Sequence, residues 1–174
     1  MIRNIKLRIK LKKNLKFQSK KNYMIRKIII ANVLEEITLT VYRNSVNTIH
    51  VTGIKSFKAI ALLKKELSQY LKIQNISHVI DLIFYMDKRS EICNLNKFYR
   101  ILEEKFSQDY HIFYCPENFV GIQLIPRYKQ KKLPTVLFFS SCTSIYLSKR
   151  NLGLLIPIKN KMNKIINDYI SEQY

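Results

Sequence analysis

The sequence predicts an α+β fold built on an antiparallel sheet with an internal repeat. Three observations predict it. Short runs alternate apolar and polar residues with the period of two that a half-buried strand requires. Longer stretches space apolar residues at three and four, as an amphipathic helix does. The order strand–turn–strand–helix occurs twice, which implies pseudo-twofold symmetry and divides the chain into residues 1–72 and 73–174. A sheet whose helices cover one face leaves the other face bare unless a partner covers it.

The elements follow in order. Residues 1–33 hold eleven Lys or Arg and two strand-like runs, Ile5 to Leu11 and Met24 to Val33. Ile37 to Tyr42 alternates and reads as a strand. Arg43 to Thr48 is a turn, and Ile49 to Gly53 is the returning strand. Gly53 then opens into a helix over Ser56 to Leu71, with Ser56 as N-cap and Ile60, Leu63, Leu67 and Tyr70 or Leu71 inward. His78 to Met86 is a strongly apolar strand, and Asn94 to Phe106 a helix burying Leu95, Phe98, Leu102 and Phe106. The stretch Tyr110 to Arg150 reads as two hairpins, in which Phe119 opens one strand and Phe139 closes another. A basic turn, Arg127 to Lys132, lies between them. A last helix runs from Leu155 towards residue 171 and carries Ile158, Met162, Ile165, Ile166 and Tyr169.

Charge sets the partner class. The chain has 31 Lys and Arg against 12 Asp and Glu, a formal charge of +19. Such an excess favours a polyanion, with nucleic acid ahead of an anionic membrane face. Abundant Lys, Ile and Asn with scarce Gly and Pro also reflects an AT-rich genome, which accounts for part of the lysine count. No apolar run is long enough to span a bilayer. The N-terminus is acid-free through Val33 and superficially like a mitochondrial presequence, but its period-two alternation favours a folded or DNA-facing strand. Cys93, Cys115 and Cys142 form no metal-ligand cluster with His50, His78 and His111, so free thiols in a reducing compartment are expected. Glu35-Glu36 and Glu103-Glu104 read as turn and helix-surface acids. No P-loop, HExxH or paired-carboxylate site supports an enzyme, and no cofactor or metal is expected.

Four segments carry a resemblance. Tyr114-Cys-Pro-Glu-Asn-Phe-Val-Gly-Ile122 resembles YEPELFPGL in the second repeat of the TATA-binding protein family. Lys72-Ile-Gln-Asn75 resembles that repeat's opening KIQN, and Val136 to Ser141 its LLIFSS strand. Ile49 to Ser56 resembles MVCTGAKS of the first repeat. Order and spacing agree across residues 37–171. The shortened first half is similar to the TATA-binding-protein-like factors of large DNA viruses or AT-rich protists. The resemblance implies a curved antiparallel saddle with helices on its convex face. Its concave face would sit in the minor groove of AT-rich promoter DNA, where apolar side chains wedge between base steps and kink the duplex. It implies, as partners, a transcription factor IIB-like protein and RNA polymerase, and the nucleus or a cytoplasmic viral factory as location.

Residue by residue, the resemblance places Phe119 and Phe139 on the second-half wedge pair and Tyr42 on a first-half wedge, with Tyr23 as its partner on spacing. Asn75 falls on the asparagine that reads the minor-groove floor. Thr40, His50, Thr52, Leu137, Ile145 and Leu147 fall on groove-lining positions, and Lys55 on a phosphate contact. Each has an ordinary alternative: Phe as core, Asn75 as a turn residue, Lys55 as a solvated lysine. Several positions depart from the family pattern: Thr40, His50, Ser77, Leu147, Ser148 and Cys142-Thr143. The first repeat is expected to lack room for a full opening strand and helix. These departures question strict TATA specificity more than the fold. Two competing readings are a basic RNA-binding or ribosome-associated protein that does not bend DNA, and a degenerate repeat that keeps only its protein-binding face. Binding is expected to be strongly salt-dependent, with residues 1–20 contributing.

Overall fold

A computed structural model describes residues 1–16, 18–30, 33–73, 76–130, 132–149 and 152–172. The chain parts into two compact units, Ile2–Ile83 and Phe84–Tyr174 together with Met1. The first holds β1 (Ile2–Lys10), β2 (Tyr23–Ile30), β3 (Glu35–Tyr42), β4 (Thr48–Ile54), α1 (Phe57–Leu71) and the start of β5 (Ser77–Asp87). The second holds the end of β5, α2 (Leu95–Phe106), β6 (Tyr110–Tyr114), β7 (Gly121–Pro126), β8 (Thr135–Phe139), β9 (Ser144–Ser148) and α3 (Leu152–Ser171). Strand order is β2-β3-β4-β1-β5 in the first unit and β5-β9-β8-β7-β6 in the second. The architecture is α+β and antiparallel, and the boundary between the two compact units falls within β5.

Alternation decides which face each strand buries. In β3, Ile37, Leu39 and Val41 are buried while Thr38, Thr40 and Tyr42 point the other way. In β8 and β9, Val136, Phe138 and Tyr146 are buried, and Leu137, Phe139, Ile145 and Leu147 lie half-buried on the opposite face. Antiparallel partners share a face. The hairpin registers therefore superimpose: Thr40 pairs with His50 as Leu137 pairs with Ile145, and Thr38 with Thr52 as Thr135 with Leu147. Tyr42 thus occupies the place of Phe139. The helices add the second layer. Ser56 caps α1, its Oγ accepting from the Ala59 amide at 3.2 Å. In α2, Leu95, Phe98, Leu102 and Phe106 are all buried, as their spacing predicts.

The structure corrects several expectations. The first repeat has a full opening strand, the nine-residue β1, with Ile5, Leu7 and Ile9 buried. What it lacks is the helix, and a strand matching β6: among the described residues between β1 and β2 neither a helix nor a strand occurs. Tyr110 to Ser148 is a four-stranded meander, not two separate hairpins, since β7 pairs with β8 as well as with β6. Phe119 precedes β7 rather than opening it; its amide donates to the Cys115 carbonyl at 2.9 Å, closing a turn. The second strand-like run ends at Ile30. Helix α3 starts three residues early, at Leu152, with Leu155 buried and Pro157 inside it. Tyr70 points to solvent. Glu35 is no turn acid: it is buried on β3 and accepts from the Lys55 amide and the Ser56 hydroxyl, each at 2.7 Å.

Candidate nucleic-acid interface

The candidate surface in each unit is the sheet face that carries no helix. In the second unit its centre is a pair of rings. Phe119 and Phe139 have centroids 5.6 Å apart and planes tilted by 59°, and each is half-buried. Gly121 lies directly across from Phe139 in the β7–β8 register. A Cβ added at Gly121 would come within 3.0 Å of the Phe119 ring, 3.1 Å of the Phe139 ring and 2.5 Å of the Phe138 carbonyl oxygen. Glycine is therefore what lets both rings settle on the sheet side by side. The row beside them runs Phe113, Gln123, Leu137 and Ile145 from strand to strand, with Leu147 one pair further along β9. Phe113 is 52 % exposed. The face is mostly apolar, with Gln123 as its amide.

The first unit presents a more polar version. A row crosses four strands as Ile25, Thr40, His50 and Arg8, and a second contains Lys27, Thr38 and Thr52. Tyr23 and Tyr42 face each other at the end, 39 % and 42 % exposed. Tyr42 stands edge-on to His50 at 5.0 Å. By register Tyr23 occupies the place of Gly121, and the place of Phe119 falls on Lys21, whose ammonium lies 5.8 Å from the Tyr23 ring centre. The first-half aromatic pair is thus built from directly opposed strand residues, without a glycine floor.

Charge on this face is partly cancelled. Arg8 grips Asp81 with both oxygens: Nε donates at 2.8 and 3.0 Å and Nη2 at 2.6 Å. Those hydrogen bonds and the carboxylate charge raise the Arg8 pKa further. Lys27 is held by Glu36 at 2.9 Å. Lys6 and Lys10 on β1 remain exposed. Lys55 is exposed at the mouth of α1 while its amide is tied to Glu35.

Asn75 lies outside the described residues. Sequence reasoning overlooked its internal counterpart: Arg3-Asn4-Ile5 repeats Gln74-Asn75-Ile76. Asn4 sits on β1, and its Oδ1 accepts from the Gly53 amide at 2.9 Å. Gly53 has a φ of +91°, where an added Cβ would meet the Glu36 carbonyl oxygen at 2.6 Å, so glycine is required there. Phe113 and Ile25 were also overlooked, because alternation assigns a face only once the strand is paired. Among the described residues no group of His, Cys, Asp and Glu could hold a metal ion, and no helix is long and apolar enough to cross a membrane.

A two-repeat antiparallel sheet with its helices ordered in this way is the architecture of the TATA-binding proteins. Among solved structures the chain is similar to the Methanococcus jannaschii TBP, with a TM-score of 0.66 and 18 % identity, covering 96 % of this chain and 97 % of that one. At this identity the likeness establishes the fold. No protein-family model matches the chain, and no curated protein sequence matches it.

Proposed function

We propose that the protein is a transcription initiation factor that binds duplex DNA through its open sheet faces, enters the minor groove and kinks it with Phe119 and Phe139. The observation that carries this reading is the ring pair over Gly121. Apolar, rigid side chains without hydrogen-bonding needs are the groups that can occupy an opened base step. Unstacking costs a few kcal/mol per step, offset by the area of DNA brought against the protein. Leu137, Ile145 and Leu147 would line the groove beside the wedge. Thr40, Thr52 and His50 would offer hydroxyls and an imidazole to the groove floor in the first half, with Asn75 and Lys55 in the roles the resemblance implies. The charge of +19 supplies the sequence-independent attraction. AT-rich promoter DNA is the proposed target. A transcription factor IIB-like protein and RNA polymerase are the proposed partners, in a nucleus or a viral factory.

The test is DNA bending, read by fluorescence energy transfer across a short AT-rich duplex. Wild-type protein is expected to bring the ends together. F119A/F139A is expected to fold, bind more weakly and leave the duplex straight. A double variant that still bends the duplex overturns the wedge, and equal affinity for GC-rich duplex and RNA favours the RNA-binding alternative.

A further inference from the structure

Among its described residues the first unit has no counterpart of two elements of the second, α2 and β6. In the second unit α2 lies over β6 and β7. It seats Phe98 on Phe138, stacked at 4.4 Å, and against Tyr169 of α3 at 5.2 Å. Under it Ile122, Val136 and Phe138 are completely buried. The register gives their counterparts in the first unit as Met24, Leu39 and Val41. Among the described residues no counterpart of α2 lies over these: Leu67 of α1 and Leu15 of the connection between β1 and β2 border them, with Leu39 and Val41 buried and Met24 half-buried. A groove of about 950 Å³ lies there instead, bounded by Met24, Ile28, Leu39 and Val41 on the sheet and by Leu67 and Tyr70 on α1. It opens on the side of the sheet away from Thr40, His50 and Thr52.

We propose that this groove receives an amphipathic helix of another protein, about three to four turns long, whose polar face is rich in Asp and Glu. The internal repeat says what fits: a helix with apolar residues spaced like those of α2, entering as a helix enters a hydrophobic groove. Charge says which helix. The short connection carries Lys12, Lys13, Lys16, Lys20 and Lys21 and no acid. Lys16 and Arg26 line the groove against a single Glu66. Arg26 is held at the rim by Tyr70, its guanidinium 5.5 Å from the ring centre and Nη1 3.3 Å from the hydroxyl. Lys13 reaches the Leu71 carbonyl at 3.0 Å, at the end of α1. A basic rim around an apolar floor favours an acidic amphipathic helix and repels a basic one.

The probe is a labelled peptide of residues 94–107 in which Lys97, Arg100 and Lys105 are replaced by Glu, titrated into the full chain by fluorescence polarisation. Binding is expected to weaken with salt and to fall about tenfold for M24E, a loss of about 1.4 kcal/mol. Methyl resonances of Met24, Ile28, Leu39 and Val41 are expected to shift on binding. M24E is expected to keep wild-type DNA affinity, since Met24 faces away from the open sheet face; this separates failure here from failure of the DNA-binding reading. The proposal is overturned if the peptide does not bind, or if a scrambled peptide or the unsubstituted basic one binds as well. Shifts at Ile122 and Val136 in place of those at Met24 would mean that the peptide displaces α2, and also overturn it. So would a dimer that M24E converts to monomer, which makes a second copy the occupant.

Discussion

A guanidinium that already holds a carboxylate has little left for a phosphate. Arg8 sits centrally in the first unit's open face, yet Asp81 takes its Nε and Nη2 protons at once. Both partners are about a third exposed, so solvent screens the pair and it adds little to stability. Its larger consequence is electrostatic. An acid on a DNA-facing surface repels phosphates and occupies the nearest cation. D81N is therefore expected to raise affinity for duplex DNA severalfold at low salt and to steepen its salt dependence, measured by titration at several salt concentrations. Unchanged affinity would place DNA elsewhere on the molecule. Cys142 is a second case in which one residue departs from its local rule. It stands where the resembled family has glycine and adopts a φ of +47°, in the left-handed region that costs a side-chain-bearing residue roughly 1–2 kcal/mol. It is buried beside Cys93.

At the scale of elements, the junction of β3, β4 and α1 is fastened by one buried acid. Glu35 satisfies the Lys55 amide and the Ser56 hydroxyl, and Ser56 in turn caps α1. E35A removes both acceptor bonds and leaves a part-buried amide unpaired, which costs about 1–3 kcal/mol. Urea unfolding should show that loss, and S56A should cost about 1 kcal/mol or more, since it removes the cap together with the hydroxyl that donates to Glu35. If E35A is neutral, the junction is held by apolar packing. Strand β1 changes how the basic N-terminus must be tested. Residues 1–20 contain a strand hydrogen-bonded to β4 with three buried aliphatic residues, so deleting them would unfold the first unit rather than remove a charged arm. K6Q/K10Q is the cleaner change. If both lysines meet phosphates, the slope of log affinity against log salt should flatten by about 1.8, at about 0.9 per phosphate contact. An unchanged slope would make them spectators.

Over the whole molecule, the buried ionisable groups set an alkaline limit. Burial pushes the Cys93 thiol from 9.0 up to about 12, with Cys142 beside it adding to the effect. The Tyr110 and Tyr146 phenols are also raised, mainly by burial. These groups are neutral when protonated, and the fold keeps their protons longer than the unfolded chain does. The stabilisation they allow is intact below the unfolded values near 9 and 10 and declines as pH rises beyond them. Thermal melts from pH 7 to 11 should therefore show a Tm that falls from about pH 9 upward, even as lysine deprotonation relieves the repulsion of a +19 chain. At pH 8 a thiol reagent should titrate exposed Cys115 while buried Cys93 and Cys142 stay silent until unfolding. A flat Tm profile with three reactive thiols would contradict the buried placement.

Local pattern carried what depends on period and capping. The alternation of Ile37 to Tyr42, the apolar stripe of α2 and the cap at Ser56 are all decided within a dozen residues, and the structure has them where the sequence puts them. The repeat was legible for the same reason, since β3–β4–α1 and β8–β9–α3 are local units. Pairing between distant segments decided the rest. Which strand β1 pairs with, and so which of its faces is buried, depends on β4, some forty residues later. That Phe119 meets Phe139 depends on Gly121 lying opposite Phe139, a register no single strand encodes. That Asp81 disarms Arg8, and that Glu35 reaches Ser56, are contacts between residues far apart in sequence whose own neighbours give no sign of them. The sequence alone determined which residues alternate, where α1 and α2 are capped and how much positive charge the chain carries, because these follow from neighbours and composition. Only the tertiary structure decided which faces stay open and which charges remain free, because exposure and pairing belong to surfaces that exist once the strands have joined.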